Sequence, residues 1–247
     1  MTRILRLLTP VAGLVMLLNV TPSWGQTPVC VAPGCNPTTS DTFGNAAGGS
    51  GALHSVTPQG PGFCGANIVG CQDTAFGDNA LFNNTTGFLN TAIGHRALYS
   101  NTTGSDNTAS GVSALDHNTL GIGNTANGAL ALAFNTTGNS NTAAGSGALE
   151  SNDTASNNTA IGSQALVNVT DGGNNTATGV FALANNVSGT SNTAMGFKAL
   201  KKSLGTKNIG IGYQAGVMLV NGNNNIYIGN QGAGDEFQTI QIGRAHV

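Results

Sequence analysis

What most constrains this chain is a return. The pattern Asn-Thr-Ala-x-Gly, followed after two residues by Ala-Leu, recurs every seventeen residues without insertion. Asp73 opens the first unit, and Asn90, Asn107, Asn124, Asn141, Asn158, Asn175 and Asn192 open the next seven. With the opening residue as position one, position two is Thr, three is Ala, five is Gly and eight is Ala throughout. Position nine is always Leu: Leu81, Leu98, Leu115, Leu132, Leu149, Leu166, Leu183 and Leu200. Position four varies (Phe76, Ile93, Ile161 and Met195 among others), as does most of the second half of each unit. Two degenerate units follow, from Asn208 and Asn225.

A fixed register without insertions makes each unit one coil stacked on the last. Seventeen residues are too few for two packed helices and a turn, which need a period above about thirty. They suit one coil of an all-β fold, a parallel β-solenoid (β-roll). A short strand at N-T-A-x-G would bend at Gly, pass a second short segment around Ala-Leu, and return through N-T-T-G. Parallel strands of successive coils would then pair about 4.8 Å apart. The Ala-Leu segment, as in "HRALY" or "FKALKK", is either a second short segment of the coil or a single helical turn, since Ala and Leu are good helix formers. The leucines are expected to form an inward ladder, each contributing roughly 1.5–3 kcal/mol on burial. The opening asparagines would hydrogen-bond up and down the stack. Gly would supply the positive φ of tight corners.

The N-terminal segment is different in kind. "MTRILRLLTPVAGLVMLLNVTPSWGQ" carries Arg3 and Arg6, an apolar run to Val20, and then small residues at Ser23 and Gly25. That is the layout of a secretory signal peptide, residues 1–25. The expected location is therefore secreted or cell-surface, with no membrane span in the mature chain. Residues 26–72, rich in Gly, Pro, Ser and Thr, read as a cap or linker. It holds all four cysteines, Cys30, Cys35, Cys64 and Cys71. In an oxidising compartment these suggest two disulfides, and of three connectivities the local one, Cys30–Cys35 with Cys64–Cys71, is favoured. A zinc site competes, although the spacings do not match paired CxxC motifs. Residues 73–207 are the eight-unit array and 208–243 the degenerate terminal coils. A net charge of −2 gives no basic stripe, so no nucleic-acid partner is expected.

Catalytic signatures are missing from the sequence. His54, His95, His117 and His246 do not recur at one coil position, and Asp73, Asp78, Asp106 and Asp116 match no metal-ligand spacing. There is no calcium-binding nonapeptide, nucleophile elbow or phosphate loop. The expectation is a non-enzyme without cofactor, metal or catalytic residues.

The units "NTAIG", "NTAMGFKAL" and "NIGIGYQAG", running into "NNNIYIGNQG", resemble the repeats of bacterial and phage-like trimeric fibre proteins. They are similar, with a longer period, to the β-roll heads of trimeric autotransporter adhesins, whose coils carry S-x-A-x-G motifs. The resemblance covers about residues 73 to 243. It implies a homotrimer of left-handed parallel β-rolls around a threefold axis, often followed by an endosialidase-type chaperone domain that trimerises the fibre and cuts itself off. No anchor barrel, coiled-coil stalk or chaperone sequence occurs in these 247 residues, so a fragment is expected. The leading function is a non-catalytic exported fibre or adhesin-head segment, with a host-surface or glycan ligand. The alternative is an ice- or crystal-surface-binding solenoid using stacked Thr columns. Its second column, the Thr pairs at 85–86, 102–103 and 136–137, is interrupted by "NTLG", "NDTA" and "NVTD". A tailspike-like glycosidase would need a carboxylate pair about 5 Å or about 6.5–9.5 Å apart, and no such pair recurs in the array.

At the C-terminus, "TIQIG" reads as one further coil. "IGRAHV" reads as the translation of a common sequencing adapter. Residues 244–247, and with them Ile242 and Gly243 in the widest reading, are therefore expected to be an assembly artefact.

Overall fold

A computed structural model of the chain describes residues 39–40, 46–54 and 72–243. Residues 1–25, expected to be a signal peptide, all four cysteines and residues 244–247 lie outside the described residues. Within them the fold is a parallel β-solenoid without helix. Each of the eight units contributes one three-residue strand, from β3 (Thr74–Phe76) to β10 (Thr193–Met195). β11 (Ile209–Ile211), β12 (Ile226–Ile228) and β13 (Ile240–Ile242) continue the sheet. Pairing is parallel and in register, Thr74 opposite Thr91 and Ala75 opposite Ala92, so every repeat position becomes a column. The ten strands β3 to β12 stack about 4.8 Å apart into a rod roughly 45 Å long.

In each strand from β3 to β10 the middle Ala points inward, and Ala75 through Ala194 are fully buried. The ladder leucines, Leu81 to Leu200, are fully buried beside the position-eight alanines. Small Ala opposite large Leu fills a core one side chain wide.

The Ala-Leu segment is a short segment built of turns, which corrects the alternative of a helical turn. Leu98 has φ 52° and Arg96 φ 58°, left-handed values that recur at positions nine and seven of each of the eight units. Three turns follow one another: Ala97 N donates to Gly94 O, Tyr99 N to Arg96 O and Asn101 N to Leu98 O, at 3.2–3.3 Å. The third residue of each of the first two turns is left-handed, as in a type II turn. A Leu held there costs roughly 1–2 kcal/mol, which its burial offsets. The position-five glycines serve as expected. Gly94 has φ 129°, and a Cβ on it would lie 2.5 Å from the carbonyl oxygen of Gly111 in the next coil.

Two asparagine columns close the coils. At position one, Asn107 Nδ2 donates to Gly121 O of its own coil (2.8 Å) and to Asn90 Oδ1 (3.2 Å); its Oδ1 accepts from Asn124 N (2.9 Å). The second column, at position twelve, was not among the expected ladders. Asn118 Nδ2 donates to Asn101 Oδ1 (2.8 Å) and to the same Gly121 O (3.1 Å). Both columns therefore converge on the carbonyl of position fifteen. A Cβ on Gly121 would sit 2.3 Å from Asn118 Oδ1 and 2.6 Å from Gly138 O, so Gly is needed there for close approach rather than for φ.

The column breaks where its sequence does. Position twelve is Val169 in one coil and Ser203 in another, and the Oδ1 atoms of Asn152 and Asn186 in the preceding coils are left buried without a partner. The coil before Val169 is also the one with Ala155 at position fifteen. By the geometry around Gly138, 2.7 Å from Asn152 Nδ2, a methyl at 155 would collide with an Asn amide at 169.

The array is longer than expected at its N-terminal end. β2 (Ala46–Gly48) pairs in parallel with β3, and antiparallel with β1 (Thr39–Ser40). Residues 46–54 then follow the coil path, with Leu53 left-handed (φ 52°) and Leu53 N donating to Ala80 O. This part of the 26–72 segment is therefore a coil, not a linker. At the other end the step from Asn192 to Asn208 is sixteen residues, yet Thr193 still pairs with Ile209. Core volume is redistributed there. Gly216 keeps the left-handed angle at position nine (φ 63°) but has no side chain. The buried Tyr227 of the next coil fills that space, its ring 2.7 Å from where a Gly216 Cβ would be.

Two outcomes follow. Leu132→Asp with Leu149→Asp buries two unpartnered charges and should abolish the array's circular dichroism signal and cooperative melting. Ala155→Gly with Val169→Asn should exceed the summed stability effects of the single changes by about 1–2 kcal/mol in urea unfolding, because only the pair restores the column. Additivity of the two would show the collision to be wrongly inferred.

Candidate functional site: the faces of the rod

Because the interior is filled and repeated, any function lies on the outer columns. Each three-residue strand points positions two and four outward. Position two is the Thr column, Thr74 to Thr193, exposed or half-buried throughout. Position four carries exposed Ile93, Ile161 and Met195 and half-buried Phe76, among small or polar residues. In β11 to β13 both positions become Ile: Ile209, Ile211, Ile226, Ile228, Ile240 and Ile242. Ile240 and Ile242 are 66% and 71% exposed. The invariant alanines lie inside, and the apolar surface belongs to position four and this terminal Ile patch.

The second Thr column does not lie on this face. Thr85, Thr102 and Thr119, at position thirteen, sit in the return turn, where each hydroxyl donates to the backbone carbonyl of the next coil at 2.9–3.1 Å. The Thr pairs are thus structural in part, and only Thr176 and Thr178 place two threonines on one strand.

Positions six, seven, ten and eleven form the most variable face. Near its N-terminal end His54 stacks on Phe82 (4.5 Å) and Phe82 on Tyr99 (5.4 Å). Arg96 lies over the Tyr99 ring and makes a two-point pair with Asp116, Nε to Oδ2 at 3.0 Å and Nη2 to Oδ1 at 3.1 Å. The Asp116 hydrogen bond raises the Arg96 pKa above its ordinary value. His117 tilts against Phe134 in the following coil. These contacts link coils to one another, and sequence reading missed them because their members sit in different repeats.

At the C-terminal end Tyr227 Oη donates to Glu236 Oε2 (2.8 Å), and Gln241 Nε2 donates to both oxygens of that carboxylate. Burial, with the Glu236 bond second, holds the Tyr227 hydroxyl well above the ordinary phenol range. Asp235 is lowered by hydrogen bonds from Asn221 and Val220. Each of these groups is satisfied by a structural partner.

The opening asparagines, Asn90 to Asn192, and the ladder leucines are buried structural columns. Among the described residues no three His, Cys, Asp or Glu side chains converge as a metal site would require, and no helix is long and apolar enough to cross a membrane. No protein-family model, no curated protein and no solved structure matches the chain.

Proposed function

We propose that this chain is a non-catalytic, exported fibre or adhesin-head segment that works as a homotrimer. The observation that carries the reading is the outer strand face, with its broken apolar column passing into four exposed or half-exposed isoleucines, Ile209, Ile211, Ile226 and Ile228, on two adjacent strands. Monomeric soluble proteins seldom leave contiguous apolar patches of this kind uncovered. Two further copies of the same rod, in the same register, would cover it along its length. The resemblance of the repeats to trimeric fibre and adhesin-head sequences supports the same assembly, and the N-terminal signal-like segment supports export. A ligand on a host surface would be met by the variable positions six, seven, ten and eleven, which stay outside such an interface.

An ice- or crystal-binding role is the second reading, supported by the Thr column at one residue per coil. It is weakened by the engagement of the other Thr pairs in the return turns.

Sedimentation equilibrium at micromolar concentration is expected to give a trimer for the full chain. Ile226→Glu with Ile228→Glu should give a monomer with an unchanged circular dichroism spectrum. A monomeric parent chain would remove the assembly reading. Attachment of protein-coated beads to bacterial or host surfaces should exceed that of uncoated beads. Glycan hydrolysis lost on a single Asp substitution would overturn the non-catalytic reading, and thermal hysteresis would favour the second one.

A further inference from the structure

Half of the cations of this chain are gathered in one coil. Of 8 Lys and Arg in the whole sequence, Lys198, Lys201, Lys202 and Lys207 fall within ten residues. No Asp or Glu occurs between residues 172 and 234, so the coils on either side supply no counter-charge. Among the described residues the ion pairs are Arg96–Asp116 and His95–Asp78, and none of these lysines has a carboxylate partner. Lys198, Lys201 and Lys202 occupy positions seven, ten and eleven of the variable face, the first two half-buried and the third exposed.

The cluster is interleaved with aromatic rings. Lys198 Nζ lies 4.7 Å from the Phe197 ring centre, and Lys201 Nζ lies 5.2 Å from that of Phe181 in the preceding coil. Phe197 stacks on Tyr213 of the following coil at 5.5 Å, and Tyr213 is 67% exposed. The rings hold the ammonium groups in place along one side of the rod.

We propose that this surface binds an acidic polysaccharide, its carboxylates or sulfates taken by Lys198, Lys201 and Lys202 and a sugar ring laid on the open part of Tyr213. The proposal rests on the surface-attachment reading and names its ligand class, but does not require the trimer. A nucleic acid fits less well. Phe197 and Tyr213 already stack on each other, while Phe181 and Phe197 carry ammonium groups, so Tyr213 alone offers an open face, too few for successive bases. An anionic bilayer is usually met by clusters of about 4–8 basic residues, more than this face presents.

The test is titration of the full chain at low and at raised salt with polygalacturonate, dextran sulfate, neutral dextran, polyglutamate, oligo-dT and phosphatidylglycerol vesicles. The acidic glycans should bind, and neutral dextran should not. Lys198→Gln, Lys201→Gln and Lys202→Gln together should weaken glycan binding about tenfold. The matching three Lys→Arg changes should retain it, and so should the single change Lys207→Gln. Tyr213→Ala should weaken glycan binding about fivefold while leaving any polyglutamate binding unchanged. Glycan binding that survives the triple Gln change overturns the proposal. So does binding no tighter than to polyglutamate, oligo-dT or vesicles. Loss of glycan binding in the triple variant while bead attachment persists leaves the attachment reading standing and shows that attachment uses another surface. Absence of bead attachment by the parent chain, with glycan binding intact, counts against the attachment reading alone.

Discussion

The structure depends on one junction repeated along the rod: the carbonyl of position fifteen, which accepts from two asparagine amides at once. Gly104 O, for example, takes Asn90 Nδ2 and Asn101 Nδ2, both at 2.9 Å. One amide comes from the start of the strand and the other from the end of the turn series, so the junction closes the coil across its own interior. The Oδ1 atoms of the same two residues reach the next coil. Closure within a coil and adhesion between coils therefore use the same side chains. In a rod only one Leu wide, apolar burial alone is small, and a buried, satisfied polar network supplies the register. Gly at position fifteen follows from this wherever the next coil carries Asn at position twelve, since a Cβ would meet that amide; Ala155, whose carbonyl keeps both amides of its own coil, is followed by Val169.

The junction also frees the exterior. With closure, register and core assigned to positions one, three, five, eight, nine, twelve and fifteen, the remaining columns face solvent and tolerate change. That is why one side of the rod carries Phe82, Tyr99 and Arg96 at one end and Lys198, Lys201 and Tyr213 at the other on the same backbone. Left-handed residues at position seven are part of the same economy of design. Asn79, Arg96, Ser113, Leu130 and Lys198 all adopt the angle there, because the turn and its inter-coil hydrogen bonds impose it whatever the side chain.

Much of this was legible in the sequence. The invariant Leu and Ala columns gave the buried core, and the fixed period gave the parallel in-register sheet. The left-handed leucines were not legible, because Leu has no preference for that angle and adopts it only where burial compensates. Position twelve was harder still: Asn84, Asn101, Asn118 and Asn135 recur as regularly as the opening asparagines, but an N-T-T-G string reads first as a surface turn. The coil at 46–54 was hidden by the long interval before Asp73, although "AAGGSGAL" carries the small-residue and Ala-Leu pattern. The lysine cluster was masked by a net charge summed over the whole chain, which averages a local excess away.

The most direct test of the junction is the unfolding free energy of Asn124→Leu, a buried change of similar size that cannot hydrogen-bond. It strands the Asn141 N–H, which Asn124 Oδ1 accepts at 2.9 Å, and removes the Nδ2 bond to Gly138 O at 2.8 Å. Urea denaturation should show a loss of about 2–4 kcal/mol despite the added apolar surface. A variant as stable as the parent, or more stable, would mean that apolar burial holds the coils together and that the asparagine columns are incidental.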